Sequence, residues 1–466
     1  MAGTIIPLER NLLRAIRSGE HSAEATVAAA IAALEANASL NLLVGPPLAT
    51  APDQARALDR RIAAGETVGP LAGLPVVVKD NIAMAGLPLS GASPALARYV
   101  ARQTAGVVKR VTDAGAIVVG RANMHELAFG ITSANPTFGD VRNPYDPRRT
   151  PGGSSGGTAA AIGAGAVLAG LASDTGGSGR IPAAFCGTVG MRPSAGRYPV
   201  DGMLNLSTTM DTATAMARTV DGLGLLDAVL AGEADDAVVA DLSTLRLGVP
   251  RDPFWNQASA AMVALCDGVL ARLGAAGVTL VEIDAPDIRA LDDRISLPLV
   301  LHEAHGIWSR IAGELGITLD DLAGRIASPD VAGVFGAIAA GSNVADDAYR
   351  AMLGVQAELK RVYAALFADH RLDGLVFPTT PITAPPGAPG EITIDGRATT
   401  LFHALTSIET PASLAGIPGI SIPAGLDAGG LPFAIEIDAP AGHDRRLIAI
   451  ARAVEALLGA VARPVA

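Results

Sequence analysis

Cysteine, lysine and aromatic residues are all scarce in this chain of 466 residues. Its two cysteines, Cys186 and Cys266, lie far apart and form no C-x-x-C pair, so the sequence offers neither a disulfide framework nor the paired spacing of a structural zinc site. Aromatic residues make up 3% of the chain while half of all residues are apolar, so Ala, Val, Leu and Ile must build most of the core. This composition is typical of a large soluble enzyme.

A membrane-spanning run and an export signal are absent as well. The longest weakly polar stretch, residues 158–172, is too short and too rich in Ala and Gly to cross a bilayer. Charged residues interrupt the N-terminal apolar runs every few positions, at Glu9, Arg10, Arg14, Arg17 and Glu20. Together with the two cysteines, this predicts a cytoplasmic protein. The net charge of −11 argues against nucleic acid and against an anionic membrane as partners.

Helical and strand patterns alternate along the chain, which predicts the α/β fold class. Helical periodicity covers residues 8–17, 23–36, 107–114 and 258–273. Short apolar runs predict strands at 74–79, 116–119, 245–249, 278–283 and 374–377. We therefore expect a central mixed β-sheet covered by helices on both faces.

Two glycine-rich segments each carry a serine, and the two serines are 24 residues apart. Ser154 lies in the segment 152–157, Gly-Gly-Ser-Ser-Gly-Gly, and Ser178 lies in 174–180, Asp-Thr-Gly-Gly-Ser-Gly-Arg. The apolar residues 158–172 predict a packed helix that brings the two hydroxyls together. Glycine-rich turns leave backbone N–H groups unobstructed, as an oxyanion site built from main-chain donors requires. The pattern favours a serine hydrolase that needs no histidine.

Lys79 supplies a base for these serines. It closes the apolar run 76–78 and is one of three lysines in the chain, with Lys109 and Lys360. A lysine can take a proton from a serine only while it is neutral, and burial lowers its pKa toward that state. The alternative is a lysine that reaches from a strand end into solvent. Because both serine segments accompany it, we predict that Lys79 is catalytic.

Long stretches around these residues resemble the amidase signature family of Ser-Ser-Lys amide hydrolases. The resemblance begins at residues 69–81, runs through both serine segments to 183–190, and resumes at 416–425. Because these parts are scattered along the chain, they imply one large domain, residues 1–466, rather than separable modules. Residues 225–370 match the family least, and we expect this variable helical segment to cap the active site.

The resemblance assigns a role to each residue of the site. Ser178 matches the acyl-forming nucleophile, Ser154 the bridging serine that follows a cis peptide bond, and Lys79 the terminal general base. The resemblance assigns no catalytic role to Ser155. The family's oxyanion donors correspond to the backbone N–H groups of Thr175, Gly176, Gly177 and Ser178. The resemblance implies amide hydrolysis through an acyl-enzyme, with no cofactor.

Three further segments resemble the indoleacetamide hydrolase and mandelamide amidase branch, at residues 124–133, 142–146 and 439–447. This implies ammonia release from a small aromatic primary amide. Phe129 and Phe138 are candidate pocket walls, although ordinary core packing explains both equally well. Two departures could alter the pocket, namely Gly179 in place of a β-branched residue and Ala-Thr-Ala at 213–215 in place of Ile-Gly-Pro.

Other interpretations of the serine segments explain less. Residues 152–156 fit the G-x-S-x-G nucleophile elbow, but that hypothesis leaves the segment 174–180 unexplained and lacks an HGGG-type segment upstream. Ser154 or Ser155 could instead cap the helix that follows. Arg180 could bind an anion, but a structural ion pair is the favoured role.

The histidines give no metal site. His125 and the pair His302 and His305 form no cluster of structural-zinc spacing, so we predict no metal. Two other functions stay open beside the arylacetamide amidase. One is an amidotransferase A-type subunit that passes ammonia to a partner protein and a tRNA substrate, and the other is an amidase for arylamides, ureas or other amides. The partner expected from the sequence is a small-molecule amide, and the assembly could be a homodimer.

Overall fold

Ten of the twelve strands found in the described residues form one sheet, and the other two form a hairpin. The structure is a computed structural model that describes residues 8–340 and 344–464. The strands are β1 Pro75–Lys79, β2 Ile117–Ala122, β3 Ala169–Asp174, β4 Val189–Arg192, β5 Thr212–Ala217, β6 Arg246–Asp252, β7 Thr279–Asp284, β8 Gly374–Pro378, β9 Glu391–Ile394, β10 Arg397–Thr400, β11 Gly419–Leu426 and β12 Pro432–Asp438. The order in the large sheet is β2-β1-β3-β5-β4-β11-β12-β8-β6-β7.

Fourteen α-helices accompany the strands in the same residues. They are α1 Leu8–Arg17, α2 Ala23–Ala36, α3 Ala51–Ala63, α4 Gly106–Asp113, α5 Gly156–Gly163, α6 Arg180–Cys186, α7 Val220–Ala231, α8 Ala260–Ala275, α9 Pro286–Glu314, α10 Leu319–Ala323, α11 Pro329–Ala339, α12 Asp346–Asp369, α13 Leu401–Ala415 and α14 Asp444–Leu458. The bounds of α1 and α2 agree with the predicted 8–17 and 23–36. Ser22 begins α2 because its hydroxyl accepts the N–H of Ala25.

Helices cover both faces of the sheet. Successive side chains of a strand point to opposite faces, and β1 shows the consequence. Val76 and Val78 join a hydrophobic cluster that includes α4 and α7, while Val77 joins a second cluster that includes α2 and α5. All five residues of β1 are buried, as expected for a strand with layers on both sides. The prediction of a single α/β domain with a mixed sheet covered on both faces is confirmed.

Strands β1 and β3 run parallel and side by side, and this arrangement positions the site. Val78 in β1 pairs with Leu171 in β3, so the carboxyl ends of the two strands lie at the same edge of the sheet. Lys79 ends β1 and Asp174 ends β3. The loop that carries Ser178 therefore leaves the sheet beside Lys79.

The helix predicted over residues 158–172 is wrong in its second half. Helix α5 ends at Gly163, and the chain then turns at Gly165, whose φ of +76° is in the left-handed region that glycine adopts readily. Residues 169–174 form β3, which inserts between β1 and β5. A run of Ala, Gly, Leu and Val is compatible with a buried helix and with a buried strand. Residues 169–174 form a strand because they pair with β1 on one side and β5 on the other.

The variable segment, residues 225–370, combines an edge of the sheet with a layer of helices. Its strands β6 and β7 pair in parallel and agree with the strands predicted at 245–249 and 278–283. Helix α9 is 29 residues long and packs against α11, α12 and α13. In the part of the chain that the structure describes, no helix has both the length and the apolar character needed to cross a membrane.

Candidate active site

Lys79 and Ser154 are in direct contact. The Lys79 Nζ lies 2.7 Å from Ser154 Oγ and 2.8 Å from Ser173 Oγ, and all three side chains are buried. Asn81 Nδ2 donates to the same Ser173 Oγ at 3.0 Å. The end of β1 thus holds the amine between two hydroxyls. The structure brings together the predicted base and the predicted bridging serine.

The environment of Lys79 favours its neutral form. Its side chain is completely buried, and burial lowers its pKa to about 7, although the negative charges of Asp174 and Asp211 oppose this shift. No carboxylate in the described residues forms an ion pair with Nζ. A substantial fraction of Lys79 is therefore neutral near pH 7, as a general base requires.

Ser154 is held by backbone contacts on both sides. The peptide bond from Gly153 to Ser154 is cis, as the family resemblance implied. A Cβ at Gly153 would lie 2.9 Å from the backbone of Ile131 and Thr132, so only glycine fits there. The N–H of His125 donates to the Ser154 carbonyl at 3.1 Å. These contacts fix the hydroxyl of Ser154 toward Lys79.

Ser155 has a separate, structural role. Its hydroxyl donates to the backbone carbonyl of Ser173 at 3.2 Å, and it makes no capping bond although it stands at the start of α5. The N–H of Gly156 donates instead to Ser133 Oγ at 3.1 Å. The interpretation of Ser154 or Ser155 as a helix cap is therefore wrong, because both hydroxyls are engaged elsewhere.

Ser178 stands in the loop between β3 and α6, and it lines a cavity. The carboxylate of Asp174 organises this loop by accepting the N–H of Gly177 at 2.9 Å and of Gly179 at 3.1 Å. The φ of Gly177 is +100°, and a Cβ there would meet Glu409 at 2.7 Å. The glycines of the segment are thus required by a tight loop around a buried carboxylate.

The same contacts bear on the predicted oxyanion donors. The N–H of Gly177, one of the four, donates to Asp174 in this structure. Thr175, Gly176 and Ser178 line the cavity. The oxyanion role of these backbone groups stays a prediction.

Arg180 forms ion pairs and cannot reach the cavity. Its guanidinium is completely buried and lies 3.0 Å from Asp174, 2.6 Å from Glu409 and 2.7 Å from Glu436. Burial alone would raise the pKa of Asp174, but the charges of Arg180 and Arg192 hold that pKa well below its ordinary value. The structural interpretation of Arg180 is confirmed and the anion-binding one is wrong.

The sequence prediction missed three polar residues around the site. Ser173 and Asn81 hold the amine of Lys79, as described above. Asp211 accepts the hydroxyl of Thr175 at 2.6 Å, and burial raises the pKa of Asp211 to about 6. Ser173 directly precedes Asp174, and assigning residues 169–174 to a strand beside β1 would have placed it next to Lys79. Asn81 ends the segment 69–81 that resembles the family, but the sequence alone indicates no role for it.

A cavity of about 120 Å³ opens beside Ser178. Its lining is mostly apolar and contains no charged side chain, being formed by Ala128, Phe129, Gly130, Ile131, Thr175, Gly176, Ser178, Leu206, Met210, Ser296, Leu297, Val300, Leu301, Val334, Phe402, Thr406 and Thr410. Helices α9, α11 and α13 supply half of this wall. An uncharged, apolar group is the occupant that such a lining favours.

The predictions about the pocket were partly right. Phe129 lines the cavity, where it packs edge-on against Phe335. Phe138 does not line it and packs against the main hydrophobic core instead. The two departures from the family pattern, Gly179 and the segment 213–215, lie next to each other. A Cβ at Gly179 would lie 2.5 Å from Cγ2 of Thr214, the middle residue of that segment. Neither of them lines the cavity.

His125 and His302 make ordinary packing and polar contacts. His125 is buried, with Nε2 3.0 Å from Asp330 Oδ2 and Nδ1 3.3 Å from Thr132 Oγ1. His302 stacks on Tyr349. Within residues 8–340 and 344–464, no group of three or more His, Cys, Asp and Glu side chains is arranged to hold a metal ion.

Comparisons with known proteins identify the family of this chain. A family model described as Amidase matches residues 25–448. The chain is 37% identical over 447 residues to an indoleacetamide hydrolase of Agrobacterium vitis, covering 95% of each. It is 38% identical over 438 residues to a mandelamide hydrolase of Pseudomonas putida, covering 90% of this chain and 85% of that one.

Two further similarities bear on the alternatives. The chain is 36% identical over 480 residues to the A-type subunit of the glutamyl-tRNA(Gln) amidotransferase of Deinococcus deserti, covering 97% of this chain and 96% of that one. A crystal structure of an amidase superposes on it with a TM-score of 0.88 at 30% sequence identity, covering 96% of this chain and 99% of that one.

Proposed function

The chain belongs to the amidase family and hydrolyses amide C–N bonds, and we propose that its substrate is a small aromatic primary carboxamide, cleaved to the acid and ammonia. One observation carries the proposal: a buried lysine contacts Ser154, while Ser178 lines an apolar cavity without charged side chains. The lysine and the serines supply the chemistry of acyl transfer. The cavity supplies the selection of the substrate.

In the proposed mechanism, Ser178 attacks the amide carbonyl. Ser154 takes the proton of Ser178 and passes its own proton to the neutral amine of Lys79. Backbone N–H groups at Thr175, Gly176 and Ser178 stabilise the oxyanion. The proton then returns through Ser154 to the leaving nitrogen, which departs as ammonia and leaves an acyl group on Ser178. Water repeats the same path and releases the acid.

Ser173 and Asn81 orient the amine in this mechanism. A neutral amine has two N–H donors and one lone pair, and the lone pair must face the hydroxyl that gives up its proton. Lys79 Nζ donates to Ser173 Oγ, which Asn81 holds in place. With one N–H directed to Ser173, the lone pair is free to point toward Ser154. We assign Ser173 as a positioning residue.

The cavity argues for a neutral, apolar acyl group. None of its lining residues is charged, so the ammonium and carboxylate of free glutamine would lose water there without gaining partners. This disfavours a charged amino-acid amide as the substrate. The two relatives named for indoleacetamide and mandelamide point to aromatic amides.

We further infer that the helical part of residues 225–370 caps the active site. Helix α9 contributes Leu297, Val300 and Leu301 to the cavity wall, and α11 contributes Val334. Without these helices, the cavity beside Ser178 would be open on that side. The cap thus belongs to the part of the chain that distinguishes one substrate from another.

The test is ammonia release by the purified chain alone. We expect steady turnover of phenylacetamide and indoleacetamide without a partner protein, and no turnover by Ser178→Ala. Ser155→Ala is the matched control, since Ser155 is also buried but contacts only a backbone carbonyl. A preference for ureas would contradict the substrate assignment, and activity that requires a partner would favour the amidotransferase.

A further inference from the structure

Two exposed apolar side chains stand at the cavity. Leu297 has 56% and Phe402 49% of its surface exposed, which is unusual for large apolar residues that line a pocket. The other large apolar side chains that are exposed in the described residues do not line it; they are Val100, Val200, Val238, Val239 and Leu426. Single exposed apolar residues need no explanation, but two that meet at one cavity suggest a binding surface.

The two side chains mark the outer end of the cavity. On α13, Phe402, Thr406 and Thr410 are spaced by four residues and share one face. Thr410 is the innermost, because its methyl group would lie 3.0 Å from a Cβ at Gly176 in the loop of Ser178. Phe402 lies about two helical turns before Thr410, which corresponds to about 12 Å along the axis of α13. A substrate that reaches Phe402 must therefore extend well beyond the carbonyl at Ser178.

On α9, Leu297 occupies the corresponding position. Val300 and Leu301 follow it by three and four residues on the same face and are less exposed. Leu297 and Phe402 thus come from two helices that pack against each other. They form an apolar rim on two sides of the cavity mouth.

A large substrate would extend to this rim. An engineered apolar protein cavity of about 150 Å³ holds one benzene molecule. The cavity here measures about 120 Å³, a similar size. A bicyclic group that places one ring beside Ser178 therefore extends its second ring toward the outer end, where Leu297 and Phe402 line the cavity.

We propose that Leu297 and Phe402 form an outer subsite that binds the second ring of a bicyclic arylacetamide. This inference rests on the proposed function and names the residues that set the size of its substrate. Binding removes the exposed surfaces of both side chains from water and adds an aromatic contact at Phe402. A monocyclic substrate covers less of the two side chains and gains less from both contributions.

The test compares two amides in matched variants. Phe402→Ala and Leu297→Ala are assayed with indoleacetamide and phenylacetamide, and Leu426→Ala is the control because its exposed side chain lies on β11 away from the cavity. We expect KM for indoleacetamide to rise about three- to tenfold in the first two variants. KM for phenylacetamide should rise by a clearly smaller factor in the same variants. Equal changes for the two amides, or none for either, would overturn the outer subsite.

A binding measurement separates this proposal from the proposed function. The two substitutions are also made in Ser178→Ala, and each protein is titrated calorimetrically with both amides. A loss of affinity that is larger for indoleacetamide than for phenylacetamide supports the subsite. An equal change in affinity for the two amides, or no change, contradicts it, whether or not the wild-type protein cleaves either amide. If the wild-type protein released ammonia from neither amide, that would contradict the proposed function alone.

Discussion

Lys79 and Arg180 are both completely buried cations, and their surroundings differ. Arg180 lies within 3.0 Å of three carboxylates, whereas Lys79 contacts two serine hydroxyls. Burial alone lowers both pKa values, but the carboxylates reverse this for Arg180 and raise its pKa well above its ordinary value. The pKa of Lys79 falls to about 7. The partners of a buried cation thus decide whether it serves as a permanent charge or as a base.

The largest expected effect comes from removing the base. Lys79→Met keeps the length and the apolar stem of the side chain but cannot accept a proton, so kcat should fall about 10²- to 10⁴-fold. Stability should change less than on loss of a permanent charge, since a substantial fraction of the amine is already neutral near pH 7. The exposed Lys109→Met is the control and should retain full activity. Wild-type turnover by Lys79→Met would remove this lysine from the mechanism.

Removing the permanent charge should instead destabilise the fold. Arg180→Met leaves Asp174, Glu409 and Glu436 buried without their common partner, which costs about 3–5 kcal/mol of folding free energy. Urea unfolding measures this loss. The control is Arg148→Met at an exposed position, which should leave the free energy of unfolding nearly unchanged. If Arg180→Met were as stable as the wild type, the contrast between the two cations would be lost.

Removing one hydroxyl beside Lys79 should have a smaller effect. Ser173→Ala deletes one of two hydrogen-bond partners of Nζ, so kcat should fall about five- to tenfold. Because the ammonium loses an acceptor, the pKa of Lys79 should fall further, and the acid limb of the pH profile should move to lower pH. A merely structural role for Ser173 would lower kcat without moving that limb. Ser155→Ala should do neither.

The smallest expected effect is a shift in pH dependence. Because Lys79 acts while neutral in the proposed mechanism, kcat/KM of the wild type should rise with pH through an apparent pKa of about 7. The negative charge of Asp211 raises the pKa of Lys79, so Asp211→Asn should move the rise to lower pH. A full pH–rate profile of both proteins measures the shift. An unmoved or upward-shifted limb would show that Asp211 does not act on Lys79.

The parts of the site that depend on local sequence were predictable. Lys79 follows three valines, and each glycine-rich segment indicates a tight turn around a serine. The bounds of α2 follow from its periodicity and from Ser22. These features need no knowledge of distant contacts, because they depend on neighbouring residues.

The remaining parts depend on contacts between distant segments. The strand at residues 169–174 has the composition of a helix, and only its place between β1 and β5 distinguishes the two. Ser173 was missed for this reason. The cavity wall from α9, α11 and α13 comes from residues more than 100 positions beyond Ser178. The homodimer and the cytoplasmic location stay predictions.

The adjacency of β1 and β3 has a consequence for engineering. Lys79 ends β1 and Ser178 lies in the loop that follows the neighbouring strand β3, while much of the cavity wall comes from three separate helices. Redesign of that wall can therefore leave the reactive machinery untouched. A new specificity would be sought by mutating the three helices while the sheet and the loop after β3 are kept unchanged.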